Sequence, residues 1–279
     1  MQKIEFEVKQ KIELTKAIIN ELPFLSRFDV KKILQNKDVK INNKRQSENI
    51  TLNKNDKVIV FYNEKSSQEW YTLVYSDNNI IIVNKRAGIE VVSETERDLI
   101  AVIKKDYPNA TAVHRLDRNT EGLVVFALNQ DAESSLLESF KTRKGIVKKY
   151  ALLVNGRVDI TKIKRTVYLK KIDSLSKVWV SEVKTSGYDQ AITEFGIVEY
   201  QNDNTLLEAT LITGKTHQIR AHISYYGYPI VGDNKYGKSD NKQMCLTANY
   251  LEFSFKKGNF LAYLTGKSFE IVPNWLKNQ

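Results

Sequence analysis

Cysteine is almost absent from this sequence: Cys245 is the single one in 279 residues. An intramolecular disulfide is therefore excluded, and so is a cysteine-rich zinc site. Long apolar runs are missing too, and none approaches the roughly 20 residues a helix needs to cross a bilayer. The opening segment MQKIEFEVKQ alternates charge where a signal peptide would be apolar. These absences lead us to expect a soluble, reduced, cytoplasmic protein with no membrane partner. What is present is ordinary for a globular chain: 42% hydrophobic and 27% charged residues exclude wholesale disorder. Lys and Arg number 43 against 33 Asp and Glu, a net charge of +10. Such an excess attracts polyanions, because each neutralised phosphate releases counterions; an anionic membrane surface would also suit it.

There is no internal repeat and no low-complexity tract. A polar stretch at 63–69 separates the apolar run ending at Tyr62 from the pair Trp70-Tyr71. It divides the chain into a small domain at 1–62, a linker at 63–69 and a larger domain at 70–279. Residues 1–62 hold 13 Lys and Arg against 8 Asp and Glu, half the net charge in under a quarter of the length. Leu14, Ile18, Ile19 and Leu22 recur at helical spacing. Ser26 reads as the N-cap of a second helix with Val30, Ile33 and Leu34 inward. Val39 and Ile41 begin a short strand, Asn42-Asn43 a tight turn, and 56–62 a closing strand. The larger domain reads as strands at 80–83, 123–127, 150–154, 166–170, 178–183, 192–199 and 206–212, with helices at 98–107 and 131–142. The expected fold class is α+β, a mixed and mostly antiparallel sheet with a small N-terminal α/β unit.

All three histidines, His114, His217 and His222, fall in two short motifs. Histidine is the commonest metal ligand, but His217 and His222 are five apart and no Cys or carboxylate joins them at ligand spacing, so no metal is expected. The first motif, His114-Arg115-Leu116-Asp117-Arg118-Asn119-Thr120-Glu121-Gly122, runs into the apolar strand LVVFA and leaves Asp117 in a loop at a strand mouth. A lone Asp there usually forms a turn. Arg115 and Arg118 beside it would keep it ionised, as a nucleophile or base requires.

HRLDRNTEGLVVFA resembles the signature of the RluA-type pseudouridine synthases, and the segment LLEATLITGKTHQIRAHISYYGYPIVGDNKYG at 206–237 matches their second signature. KKYALLVNG (148–156) and CLTANYLEF (245–253) resemble two further motifs, so the likeness spans most of 70–279. Glu121 stands where the family commonly has Ser, and Arg86 where Pro is usual. The basic N-terminal pattern, with LSR opening the second helix and VKINNKR leaving it, resembles the alpha-L RNA-binding domain. The resemblance implies that Asp117 attacks the target nucleotide or abstracts a proton. It implies that Tyr150 stacks on the uracil, helping to remove its C5 proton, and that Arg220 pairs with Asp117. Leu246 would lie beneath Tyr150, Arg115 would fill the gap left by the departing base, and His114 would belong to the substrate site. Arg27, Lys31, Lys32 and Arg45 would meet phosphates.

The implied reaction breaks the N1 glycosidic bond, turns the uracil over and rejoins it through C5. It needs no cofactor, only a carboxylate, a dry pocket and an aromatic floor, after the base is flipped at a cost of a few kcal/mol. The implied substrate is structured RNA, first of all large-subunit ribosomal RNA, handled by a monomer. Alternatives are a tRNA enzyme, a non-catalytic ribosome-assembly factor, or a glycosidase. The last would want a second carboxylate, for which Glu121 reads better as turn structure.

Overall fold

A computed structural model describes residues 2–22, 25, 27–62, 70–93, 98–172, 176–238 and 243–277. In the N-terminal part, the strands Gln2–Glu7, Lys57–Tyr62, Val39–Ile41 and Lys44–Gln46 form one antiparallel sheet in that order. The helices Leu14–Glu21 and Arg27–Gln35 cover it, and Leu14, Ile18, Val30, Leu34, Val39, Val58 and Val60 close a separate core. Asn42 and Asn43 both take positive φ, 48° and 67°, the conformation a two-residue hairpin requires and Asn tolerates. The first strand escapes sequence reading because an edge strand with charged residues on its open face carries little apolar signal. Ser26 and the stretch 63–69 lie outside the described residues.

The larger part is built on a sheet of eleven strands among the described residues. From one edge it runs Lys177–Ser181, Thr166–Ile172, Asp189–Gln201, Asn204–Leu211, Ile146–Asn155, Leu246–Phe253, Glu121–Ala127, Ile80–Lys85 and Tyr71–Ser76. Neighbours are antiparallel except at one place. Glu121–Ala127 meets Leu246–Phe253 in parallel through only two pairs, Glu121 with Thr247 and Gly122 with Ala248. Gly122 (φ +127°) comes so close there that a Cβ would collide with the Ala248 backbone, so a side chain would part the two halves of the sheet. All seven residues of Glu121–Ala127 are buried, because both faces are covered. Val124 and Phe126 join the cluster containing Leu116, Tyr150 and Leu246, while Leu123 and Val125 face the helix Gln130–Thr142.

The strands expected at 150–154, 178–183 and 192–199 are Ile146–Asn155, Lys177–Ser181 and Asp189–Gln201, and two further differences have clear local causes. The helix expected over 98–107 is only Leu99–Ile103, capped by the Asp98 carboxylate on the Ala101 N–H. Pro108 disfavours helical backbone at Tyr107, and the intervening residues become turns. Glu121, expected in turn structure, is instead the first residue of a buried strand.

Candidate active site

The loop before Glu121–Ala127 is fixed at nearly every residue except the two that face outward. Leu116 is buried in the core. The Asp117 carbonyl accepts from the Thr120 N–H at 3.0 Å, closing a turn. Arg118 exchanges main-chain and side-chain bonds with Gly88. Lys85, fully buried, donates its ammonium to the carbonyls of Arg86, Ile89 and Arg118 at 2.9, 2.8 and 3.2 Å. Burial pushes the Lys85 ammonium down to about 7, with Arg118 adding to the effect and the Asp117 and Glu121 carboxylates opposing it. What remains free of the scaffold is the Asp117 carboxylate and the exposed Arg115.

His114, placed at the substrate by the sequence reading, has a different task. Its Nε2 accepts the Val125 N–H at 3.0 Å, and its ring lies 4.8 Å from that of Phe140. Phe140 packs with the cluster on the far face of the sheet from Tyr150. Burial, aided by Lys148, holds the imidazole at about 3, so it is a neutral buttress of the loop.

The helix Gln218–Tyr225 brings Arg220 to Asp117. Its first residue is pinned on both sides of its amide: Gln218 Oε1 accepts from Thr213 Oγ1 and the Lys215 N–H, and Nε2 donates to Ile192 O and Thr193 Oγ1. Two residues on, within the first turn, Arg220 is only 6% exposed and uses its fork twice. Nη1 donates to Asp117 Oδ2 at 2.8 Å, while Nε and Nη2 hold both oxygens of Asp233 at 2.8 and 2.9 Å. Asp233 is 1% exposed and also accepts the N–H groups of Lys235 and Tyr236. Burial alone would raise the Asp233 carboxyl, but Arg220 and those N–H groups hold it below the usual carboxylate range. Burial alone would lower the Arg220 guanidinium, yet Asp233 and then Asp117 raise it. The cation beside Asp117 is therefore Arg220. Arg118 is committed to Gly88 and Arg115 to solvent, which corrects the expectation that these sequence neighbours supply the charge.

His217 stands at the head of the same helix with φ 53° and puts Nε2 3.8 Å from Asp117 Oδ2. Its Nδ1 lies 2.9 Å from the Tyr236 hydroxyl, which accepts the Val178 N–H at 2.8 Å. The Tyr236 hydroxyl thus links the Val178 N–H to the His217 ring and fixes the imidazole with Nε2 towards Asp117. Burial lowers this imidazole to about 4 against the raising effect of the Asp117 charge, and Arg220 and Lys235 lower it further. His222 is a core residue bonded to Lys164 O.

Tyr150 sits where the pairing of Ile146–Asn155 with Leu246–Phe253 slips between Lys149 and Ala151. The bulge turns its side chain into the cluster shared with Leu246 and Leu116. Burial first and the Asp117 charge second push its hydroxyl up, so it stays a neutral phenol. Glu121 accepts from Thr247 Oγ1 and from both the main-chain N–H and the side-chain amide of Asn274. Both of its oxygens are occupied in tying the C-terminal segment to the sheet. Lys31, Lys32 and Arg45 are exposed on the second helix and first hairpin, and the Arg27 side chain lies outside the described residues. Among the described residues no group of three His, Cys, Asp or Glu could hold a metal ion.

Sequence reasoning assigned no role to Lys85, His217, Asp233 or Tyr236. The last two lay inside a quoted motif, GDNKYG, whose composition reads as a turn. Lys85 precedes Arg86, and adjacent cations read as solvated charge.

Residues 79–225 match the family described as RNA pseudouridylate synthase. An uncharacterised RNA pseudouridine synthase of Mycoplasma capricolum is 35% identical over 89% of this chain and 89% of its own length. The dual-specificity RNA pseudouridine synthase RluA of Escherichia coli is 34% identical over 63% of this chain and 82% of its own. The ribosomal large subunit pseudouridine synthase C of Buchnera aphidicola is 33% identical over 76% of this chain and 68% of its own. Among solved structures, human RNA pseudouridylate synthase domain containing 1 superposes with a TM-score of 0.61 at 22% identity, over 76% of this chain and 86% of that one, a likeness of fold. Family match, relatives and sheet architecture agree, and the chain belongs to the RNA pseudouridylate synthases, isomerases that act on RNA.

Proposed function

We propose that this enzyme converts uridines of large-subunit ribosomal RNA to pseudouridine in the cytoplasm, as a monomer, with Asp117 as its catalytic carboxylate. One observation carries the assignment: Asp117, in a loop otherwise bound down, is met at 2.8 Å by a buried Arg220 from 103 residues away. A structural aspartate would be spent on its own turn, whereas here the turn uses only the main chain of Asp117. The choice of ribosomal RNA is supported by the likeness to the ribosomal large subunit pseudouridine synthase C of Buchnera aphidicola.

In this reading the target nucleotide is flipped into the space between Asp117 and Tyr150. The N1–C1′ bond breaks, the uracil turns, C5 bonds to C1′, and the C5 proton leaves as N1 gains one. Asp117 either attacks the sugar or removes a sugar proton, and both routes use the same carboxylate. Arg220 holds Oδ2, and the other oxygen stays available. Tyr150, held as a neutral phenol by burial and the Asp117 charge, stacks on the base and helps to remove the C5 proton. Leu246 supports Tyr150 from the same cluster. Arg115, exposed and unpaired among the described residues, is free to enter the RNA stack. Residues 1–62 act as an alpha-L RNA-binding domain whose Arg27, Lys31, Lys32 and Arg45 meet phosphates, joined through 63–69 to the catalytic domain at 70–279.

The test incubates purified protein with total RNA from a strain lacking its gene and maps pseudouridine by chemical sequencing. New sites in large-subunit ribosomal RNA that vanish with Asp117→Asn are expected. Sites only in tRNA would move the substrate. No site, or equal sites with Asp117→Asn, would leave a non-catalytic assembly factor, and released free uracil would mean a hydrolase.

A further inference from the structure

The edge hairpin formed by Thr166–Ile172 and Lys177–Ser181 carries features that the reaction does not use. Trp179 is 54% exposed on the outermost strand of the sheet, and Tyr225, at the end of the helix bearing Arg220, is 49% exposed. Contiguous exposed apolar surface on a folded protein marks a binding site more often than scattered exposed side chains do. Here both line one open hollow of about 320 Å³ together with Tyr188, Tyr236, Ala221 and Ser224. Its floor is rigid. Val178 and Ala221 are buried in a small cluster beneath, the Val178 N–H holds the Tyr236 hydroxyl, and Ser224 Oγ holds the Tyr236 carbonyl.

The surroundings are cationic. Lys170 pairs across the strands with Trp179 and places its ammonium 5.8 Å from the Tyr188 ring centroid. Residues 164–189 carry Lys164, Arg165, Lys170, Lys171, Lys177 and Lys184 against Asp173, Glu182 and Asp189, with Lys164 paired to Glu182 and Arg165 to Glu194. Aromatic faces set among lysines suit an unpaired nucleotide, whose base stacks while its phosphate is neutralised. One residue links the hollow to the reaction site: Tyr236 forms part of its wall and is hydrogen-bonded to His217, which faces Asp117.

The geometry points to a base-stacking subsite in this hollow, occupied by an unpaired nucleotide of the RNA substrate next to the one that is flipped. The inference rests on the enzyme acting on RNA as proposed above. It gives that site a second point of grip, on a neighbouring base, so that the target must lie beside single-stranded RNA.

Trp70 and Trp275 are buried, so Trp179 is the exposed tryptophan of the three and reports the hollow directly. Titrating the full chain with a single-stranded oligouridylate of about ten nucleotides is expected to quench tryptophan fluorescence saturably. Trp179→Phe keeps an aromatic face, so it retains affinity while losing the quench. Trp179→Ala, and separately Tyr225→Ala, weaken binding about tenfold, the contribution of roughly one stacked base. Both positions are solvent-exposed, and Tyr225→Ala keeps the test open should Trp179→Ala fold poorly. Saturable binding with no quench, or unchanged affinity in both alanine variants, overturns the subsite even while the wild type modifies total RNA. A changed sedimentation coefficient in Trp179→Ala with unchanged RNA affinity overturns it in favour of a second copy of the chain. Absence of both binding and pseudouridine formation by the wild type overturns the underlying reading as well.

Discussion

Asp233→Ala is the perturbation whose size the structure sets most directly. The substitution removes the acceptor of two Arg220 nitrogens inside the protein and leaves the guanidinium with Asp117 alone. Truncating one partner of a buried ion pair costs about 3–5 kcal/mol, because the remaining charge stays desolvated and uncompensated. Asp117 keeps a share of that charge paired, so the lower end applies, about 3 kcal/mol. In a folding unit of this size that loss lowers Tm by roughly 6–12 °C. Asp233→Asn retains one acceptor oxygen and loses less. Replacing both members, as Arg220→Met/Asp233→Leu, recovers part of the stability, since an apolar pair carries no buried charge, but leaves Asp117 without its cation and the enzyme inactive. The pH dependence has a defined sign. Asp233 sits below the usual carboxylate range in the folded state, so its stabilisation is complete above its unfolded pKa of about 3.9 and disappears as pH falls through the folded value. Urea unfolding of wild type and Asp233→Ala should show a constant gap above about pH 5 that narrows below about pH 4. A loss under about 1 kcal/mol, within the range of ordinary surface changes, or a gap that persists in acid, refutes the clamp.

Lys85 gives a slope of the same sign at higher pH: its folded pKa of about 7 lies far below its unfolded value, so wild-type stability rises between about pH 7 and 10, and a Lys85→Met curve running parallel over that window would contradict the burial argument. Burial holds His114, His217 and His222 at about 3, 4 and 4, so stability falls as pH drops from about 6.5 towards 4; proton NMR should find none of the three titrating above about pH 5, and a titration near 6.5 would refute this. Gly122→Ala forces a methyl into the Ala248 backbone at a φ of +127°, and a melting curve should show at least about 3 kcal/mol lost; a stable variant would mean the two-pair junction is not tight. Glu121→Gln keeps an acceptor for Thr247 and Asn274, so turnover measured by pseudouridine mapping should stay within about tenfold of wild type, whereas a loss matching that of Asp117→Asn would give Glu121 a chemical role.

Sequence alone set the continuous apolar runs that make Ile80–Lys85 and Glu121–Ala127 strands, the turn at Asn42-Asn43, and the dense motifs around Asp117 and Arg220, because each is a local pattern of burial or backbone conformation. Tertiary structure decided which groups meet. Arg118, next to Asp117 in the chain, is spent on Gly88, while the cation that serves it arrives from a helix 103 residues on. His114 and His217 look alike in sequence, yet one braces a strand on the far face of the sheet and the other faces the Asp117 carboxylate. Lys85 reads as a surface charge and is fully buried beneath three carbonyls. Charge, hydrogen-bond partner and pKa are set by the groups within a few ångströms, and the fold, not chain order, selects those neighbours.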